Sequence, residues 1–199
     1  MKIVVIGASG TIGSAVVKEL EARHEIVTVG HRSGDITVDI TSAASIQRMF
    51  QAIGRVDAVV SATGSAHFGP FETLTEKEFL IGISNKLMGQ INLVLLGRDF
   101  VNDGGSFTLT SGVLSHDPIY CGAAVTTVNA GLEGFVLGAS IEMPRGIRIN
   151  AVSPGVVEES MERIGSFFRG HIPVPVSTVA LAYSKSVEGR LNGQVFHAQ

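Results

Sequence analysis

The chain opens on a β-branched run, Lys2–Ile6, and then sets glycines at 7, 10 and 13 before the apolar spacing Ile12, Ala15, Val16 and Leu20. An aliphatic run predicts a strand and apolar residues three and four apart predict a helix, so the glycines form the turn between them. Without Cβ atoms, such a turn lets its backbone N–H groups approach a ligand closely. The helix start adds unpaired N–H donors and the positive end of the helix dipole, a combination suited to phosphate. A chain that begins this way is directed toward strands and helices alternating around a parallel sheet.

The alternation continues to the end. Further strands are predicted at Glu25–Gly30, Ile36–Asp39, Asp57–Ala62, Ser106–Thr110, Ile147–Val152 and Gln194–His197. Between them, helices are predicted over Thr11–Ala22, Ser42–Ile53, Thr75–Val101, Ala123–Glu142, Val156–Phe168 and Ser177–Val187, with Asp103-Gly104-Gly105 as a stop. Strands separated by helices imply an α/β fold. With 199 residues, of which 45% are hydrophobic, the chain forms a single domain with a full core.

Composition excludes several classes of function. A net charge of -3, with Lys and Arg scattered, supplies no basic field for nucleic acid. Cys121 is the only cysteine, so no internal disulfide forms. No Cys/His spacing suggests a structural metal site, and a reducing cytoplasm is the expected setting. The apolar start is too short to span a bilayer, and no membrane association is expected.

Three glycines spaced G-x-x-G-x-x-G after a first strand fit the pyrophosphate of a dinucleotide, with Ser9, Thr11 and Ile12 completing the cradle. Glycines also close tight turns where no ligand binds. About twenty residues on, an NAD site would carry an acidic residue for the ribose hydroxyls. Here the second strand ends in Gly30-His31-Arg32-Ser33. Arg32 can pair with a 2′-phosphate through its forked donors and Ser33 can add a hydroxyl, which favours NADP over NAD. The alternative for Arg32 is a solvated loop arginine.

The glycine loop GASGTIG, the pair Asp39-Ile40, the stretch Ser61-Ala62-Thr63-Gly64 and the segment from Arg148 to Gly155 (RINAVSPG) occur in the order found in short-chain dehydrogenases/reductases. The chain resembles that family from Lys2 nearly to its C-terminus. The resemblance implies a three-layer, doubly wound parallel sheet, the Rossmann fold. It also implies that Asp39 and Ile40 face the adenine, that Ala62, Thr63 and Gly64 line its ribose, and that Pro154 and Gly155 border the nicotinamide. Residues 156–175 would form a short substrate-side segment. Pairing through the helices about Asn85–Val101 and Ala123–Glu142, as a homodimer or homotetramer, is implied as well.

The family's Tyr-x-x-x-Lys pair is where the pattern departs. Aligning Asn129-Ala130-Gly131-Leu132-Glu133-Gly134 to the family's Lys-Ala-Ala-Leu-Glu-Gly puts Asn129 at the lysine and Val125 at the tyrosine. Ser111 follows the fifth strand, but the family's catalytic serine aligns with Gly112. Lys86 rather than Asn85 falls at the family's asparagine. Two readings stay open. In the first, an oxidoreductase acting on a small carbonyl or alcohol uses Tyr120 as the acid, Lys86 or His116 lowers its pKa, and Ser111 polarises the substrate oxygen. In the second, the chain binds NADP(H) as a sensor or regulatory protein without turnover. Cys121 is read as a small buried hydrophobe.

Overall fold

The computed structural model describes residues 1–199. Seven parallel strands form one sheet: β1 Lys2–Ile6, β2 Glu25–Gly30, β3 Ile36–Thr37, β4 Val56–Ser61, β5 Val101–Thr110, β6 Arg148–Pro154 and β7 Val195–Ala198, in spatial order β3-β2-β1-β4-β5-β6-β7. Helices α1 Thr11–Leu20, α2 Ala43–Ile53, α3 Glu76–Gly82, α4 Met88–Gly97, α5 Ala123–Ser140, α6 Met161–Ile164 and α7 Val176–Glu188 join them. The predicted α/β, doubly wound architecture is the one observed.

Alternate strand residues feed two cores. Val4, Ile6, Val59, Phe107 and Leu109 face α2, α4 and α5, whereas Ile3, Val5, Ala58, Val60 and Val152 face α1 and α7. Each fully buried aliphatic side chain contributes roughly 1.5–3 kcal/mol. Helix α4 buries Gly89, Gln90, Leu93, Val94 and Gly97, a stripe of i, i+3 and i+4 positions. The helical stretch Glu76–Phe100 is long and apolar enough to cross a membrane by length and composition, yet this stripe seats it on the sheet.

Two predicted elements differ. β5 starts at Val101 and not at Ser106, taking in Asp103-Gly104-Gly105. Val56 pairs with Val101 but Ala58 with Ser106, and Gly104 sits at φ 73°, so the glycine pair makes a bulge inside the strand. Residues 156–168, predicted as one helix, hold the four-residue α6 between two 3-10 turns, Glu158–Ser160 and Gly165–Phe167. Val157 bridges to Val174, and the apolar residues divide between cores: Val156 and Phe168 join Val113, Leu114 and Val125, while Val157 and Val174 join the α1–α7 side. Side chains committed to two directions cannot share one helix face.

Candidate functional site

Strand order reverses between β1 and β4, and in open parallel sheets that switch point opens a crevice beyond the strand ends. A cleft of about 370 Å³ lies there, lined by Ile6 and Gly7 after β1, Gly30 and His31 after β2, Val38, Asp39 and Ile40 after β3, Thr63, Gly64 and Ser65 after β4, and Asn85. Backbone packing forces the glycine turn. At Gly7, φ is 87° and a Cβ would stand 2.3 Å from the Ala62 carbonyl oxygen; at Gly13 it would stand 2.0 Å from that of Gly7.

The turn leaves α1 without a cap. Ser42 accepts from Ser45 N at the start of α2, and Thr75 and Glu78 close a reciprocal capping box on α3. Gly10, at the start of α1, has no side chain to offer. The first N–H groups of α1, at Thr11, Ile12 and Gly13, therefore await an acceptor from outside the chain.

Around the cleft, Asp39 accepts from Thr41 N at 2.9 Å and Thr41 Oγ1 at 2.6 Å, and these bonds, the hydroxyl first, lower its pKa. Arg32 and Ser33 lie exposed on the turn after β2, outside the cleft lining.

A second group of polar side chains gathers beyond the end of β5. Gln90 grips Thr110 on both sides, donating to its carbonyl and accepting from its N–H, each at 2.9 Å. That grip fixes where Ser111 begins. Between α3 and α4 the helix widens into a π turn over Ile83–Leu87, a distortion frequent at functional sites. It carries Asn85 and Lys86. Asn85 Oδ1 accepts from Ser65 N at 2.8 Å, while Lys86 Nζ donates at 2.7 Å to both the Ser111 carbonyl and Asn129 Oδ1. Glu133, one helical turn after Asn129 on α5, accepts from Ser111 Oγ at 2.8 Å and Ser115 Oγ at 2.7 Å. Desolvation pulls the Lys86 ammonium down from 10.5 to about 8, against the opposing pull of Glu133.

A family model described as enoyl-(acyl carrier protein) reductase matches residues 2–171. The chain belongs to the short-chain dehydrogenase/reductase family. A protein of Listeria innocua, lin1944, is 53% identical over 100% of both chains with a TM-score of 0.99. A small-chain dehydrogenase solved in complex with NADPH is 25% identical, with a TM-score of 0.88 over 99% of this chain and 95% of that one. A hydroxynaphthalene reductase-like protein of Metarhizium brunneum is 29% identical over 152 residues, 71% of this chain and 55% of the relative. The chain thus spans little more than half the length of that curated relative.

This dehydrogenase/reductase departs from the sequence expectation at its reactive end. Helix α5 contains neither tyrosine nor lysine, and Lys86 and Asn129 touch each other. Tyr120 is not brought to Lys86. It is 79% exposed and lines an outer cleft with Asp117, Ser166, Phe167, Arg169 and His171. Ser111 is buried with its hydroxyl on Glu133. His116 is exposed and meets Ser115 Oγ and Gln199. Cys121, half-buried at φ 66°, makes the bend after Tyr120. Pro154 is buried and Gly155 N bonds to Ala198 O at the end of β6. Sequence reasoning overlooked Glu133 and Ser115. The signal for Glu133 is its i+4 spacing from Asn129, which puts both on one face of α5.

Proposed function

We propose that this chain is an NADP(H)-dependent oxidoreductase of the short-chain type, reducing a small carbonyl or oxidising the matching alcohol. The carrying observation is the uncapped start of α1 at the switch-point cleft, a donor set matched to a pyrophosphate. Gly7, Ser9, Gly10, Thr11, Ile12 and Gly13 would hold the phosphates. Arg32 and Ser33, free on their exposed turn, would take the 2′-phosphate. Asp39 and Ile40 would flank the adenine, Ala62, Thr63 and Gly64 the ribose, and Pro154 and Gly155 the nicotinamide. When bound, the reduced nicotinamide supplies a hydride.

The chain's own contribution at the reactive end centres on Lys86, an ammonium poised to donate a hydrogen bond, anchored by Asn129 and the Ser111 carbonyl. Tyr120 belongs with residues 156–175 as a substrate contact, because both line the outer cleft. Oligomerisation through α4 and α5 is supported by Leu95 on α4, Leu137 on α5 and Ile141 just after α5, apolar side chains left exposed. The sensor reading has its own support: α5 lacks a phenol and an ammonium, and the Ser111 hydroxyl is spent on Glu133.

One experiment separates the two. NADPH is titrated by fluorescence, then small aldehydes and ketones are screened for loss of its absorbance. Binding with turnover supports the reductase, binding with none across the panel supports the sensor, and no binding removes both.

A further inference from the structure

Lys86 uses two of its three N–H donors on Ser111 O and Asn129 Oδ1. It forms no ion pair. Its backbone and stem press against Gly64, where a Cβ would stand 2.8 Å from Lys86 Cα and Cγ, and Gly64 lines the cleft. Ser111 N in turn bonds to Val152 O, two residues before Pro154. The ammonium therefore sits between the β4 loop and the ends of β5 and β6, behind the Gly64 wall of the crevice. A positive charge held there, with the Glu133 carboxylate acting on it from beyond ion-pair distance, discriminates between ligands that differ in charge at that end.

The two oxidation states of the nicotinamide differ in that way: the ring is neutral when reduced and cationic when oxidised. We infer that Lys86 makes the cleft selective for the reduced dinucleotide, by repelling the oxidised ring from the β5–β6 end. This rests on the cofactor reading above and adds to it a direction: the protein holds NADPH in preference to NADP⁺. Two unit charges several ångströms apart in a partly solvated site give a preference of about tenfold.

The preference is tied to protonation of one amine. The charged group acting on Lys86 is the Glu133 carboxylate on α5; Asn129 on the same helix, Ser111 after β5 and Gly64 after β4 carry no charge. With the amine titrating about 8, the preference is complete well below that pH and fades above it. The 2′-phosphate is common to both dinucleotides, so its charge cancels in the ratio.

Dissociation constants for NADPH and NADP⁺ are measured by calorimetry from about pH 6.5 to 9.5, spanning the Lys86 titration, on the unaltered chain, Lys86→Gln and Lys86→Arg. The expected ratio is about tenfold in favour of NADPH at low pH, falling toward one at high pH in the unaltered chain. It should stay near one throughout in Lys86→Gln, and stay high and flat in Lys86→Arg. A ratio in the unaltered chain that ignores pH, or one that survives Lys86→Gln, overturns the inference while leaving dinucleotide binding intact. Failure of both dinucleotides to bind the unaltered chain overturns the cofactor reading and the inference together. The pH series on the unaltered chain stands whether or not Lys86→Gln folds.

Discussion

The two ends of the crevice are built from different materials. At the β1–α1 end the surface is backbone: Gly7 and Gly13 are forced by carbonyl oxygens that leave no room for a Cβ, and Gly10 leaves the helix start open. Beyond the β5–α5 end, behind the residues that line the cleft, the material is side chain: Lys86, Asn129, Glu133, Ser111 and Ser115 satisfy one another in a connected set of hydrogen bonds. Backbone sites tolerate almost no change in sequence, because their geometry depends on absent atoms. Side-chain sites can be rebuilt by exchanging partners, as the Lys86–Asn129 contact illustrates.

The sharpest way to break that contrast is Gly7→Ala. It adds a methyl 2.3 Å from Ala62 O at a φ of 87°, and overpacking combined with a left-handed backbone should cost about 3 kcal/mol or more. Chemical denaturation should show the loss, together with loss of NADPH binding. A variant of unchanged stability would mean that the turn is not held as described.

At the side-chain end the next largest effect is electrostatic. The folded-state pKa of Lys86 lies near 8, below its ordinary 10.5, so between those values the unfolded chain binds more protons. Stability must then rise with pH across that window. Relative to Lys86→Gln, the unaltered chain should gain on the order of 2 kcal/mol across that window, the full shift discounted for partial exposure. Parallel stability curves for the two proteins would show that the ammonium is not desolvated.

Legibility in the sequence follows the same division. The β1 turn and the alternation of strands and helices can be read because periodicity and glycine spacing act locally, and the cleft-lining Asp39, Ile40, Thr63 and Gly64 follow from the resemblance to the family. The β5–α5 end cannot, because it depends on which side chains meet across elements distant in the chain. The reading of Tyr120 as an acid tuned by Lys86 needs the two to meet, but the bend at Cys121 leaves Tyr120 in the outer cleft. Residues 156–168 have helical apolar spacing, yet that spacing serves two cores.

Arg32→Glu probes the backbone end from outside its forced geometry. The residue is exposed and unconstrained, so the fold should be untouched, while NADPH affinity falls by about tenfold or more through loss of a charge-assisted contact and added repulsion. NADH affinity should be unchanged or improved. Equal NADPH affinity in the variant, measured by fluorescence titration, would remove Arg32 from the site.

The smallest effect tests whether an unforced glycine behaves differently from Gly7. Gly138 lies on the exposed side of α5, where a methyl group would meet nothing within 4 Å. Alanine there lowers the backbone entropy of the unfolded chain and favours helix, so Gly138→Ala should raise stability by about 0.5–1 kcal/mol. The same methyl would intrude on a second copy packed against α4 and α5. Measured at low protein concentration, the unfolding midpoint should therefore rise, while self-association followed by sedimentation weakens. A midpoint that falls instead would mean that α5 is as constrained at Gly138 as the turn after β1 is at Gly7.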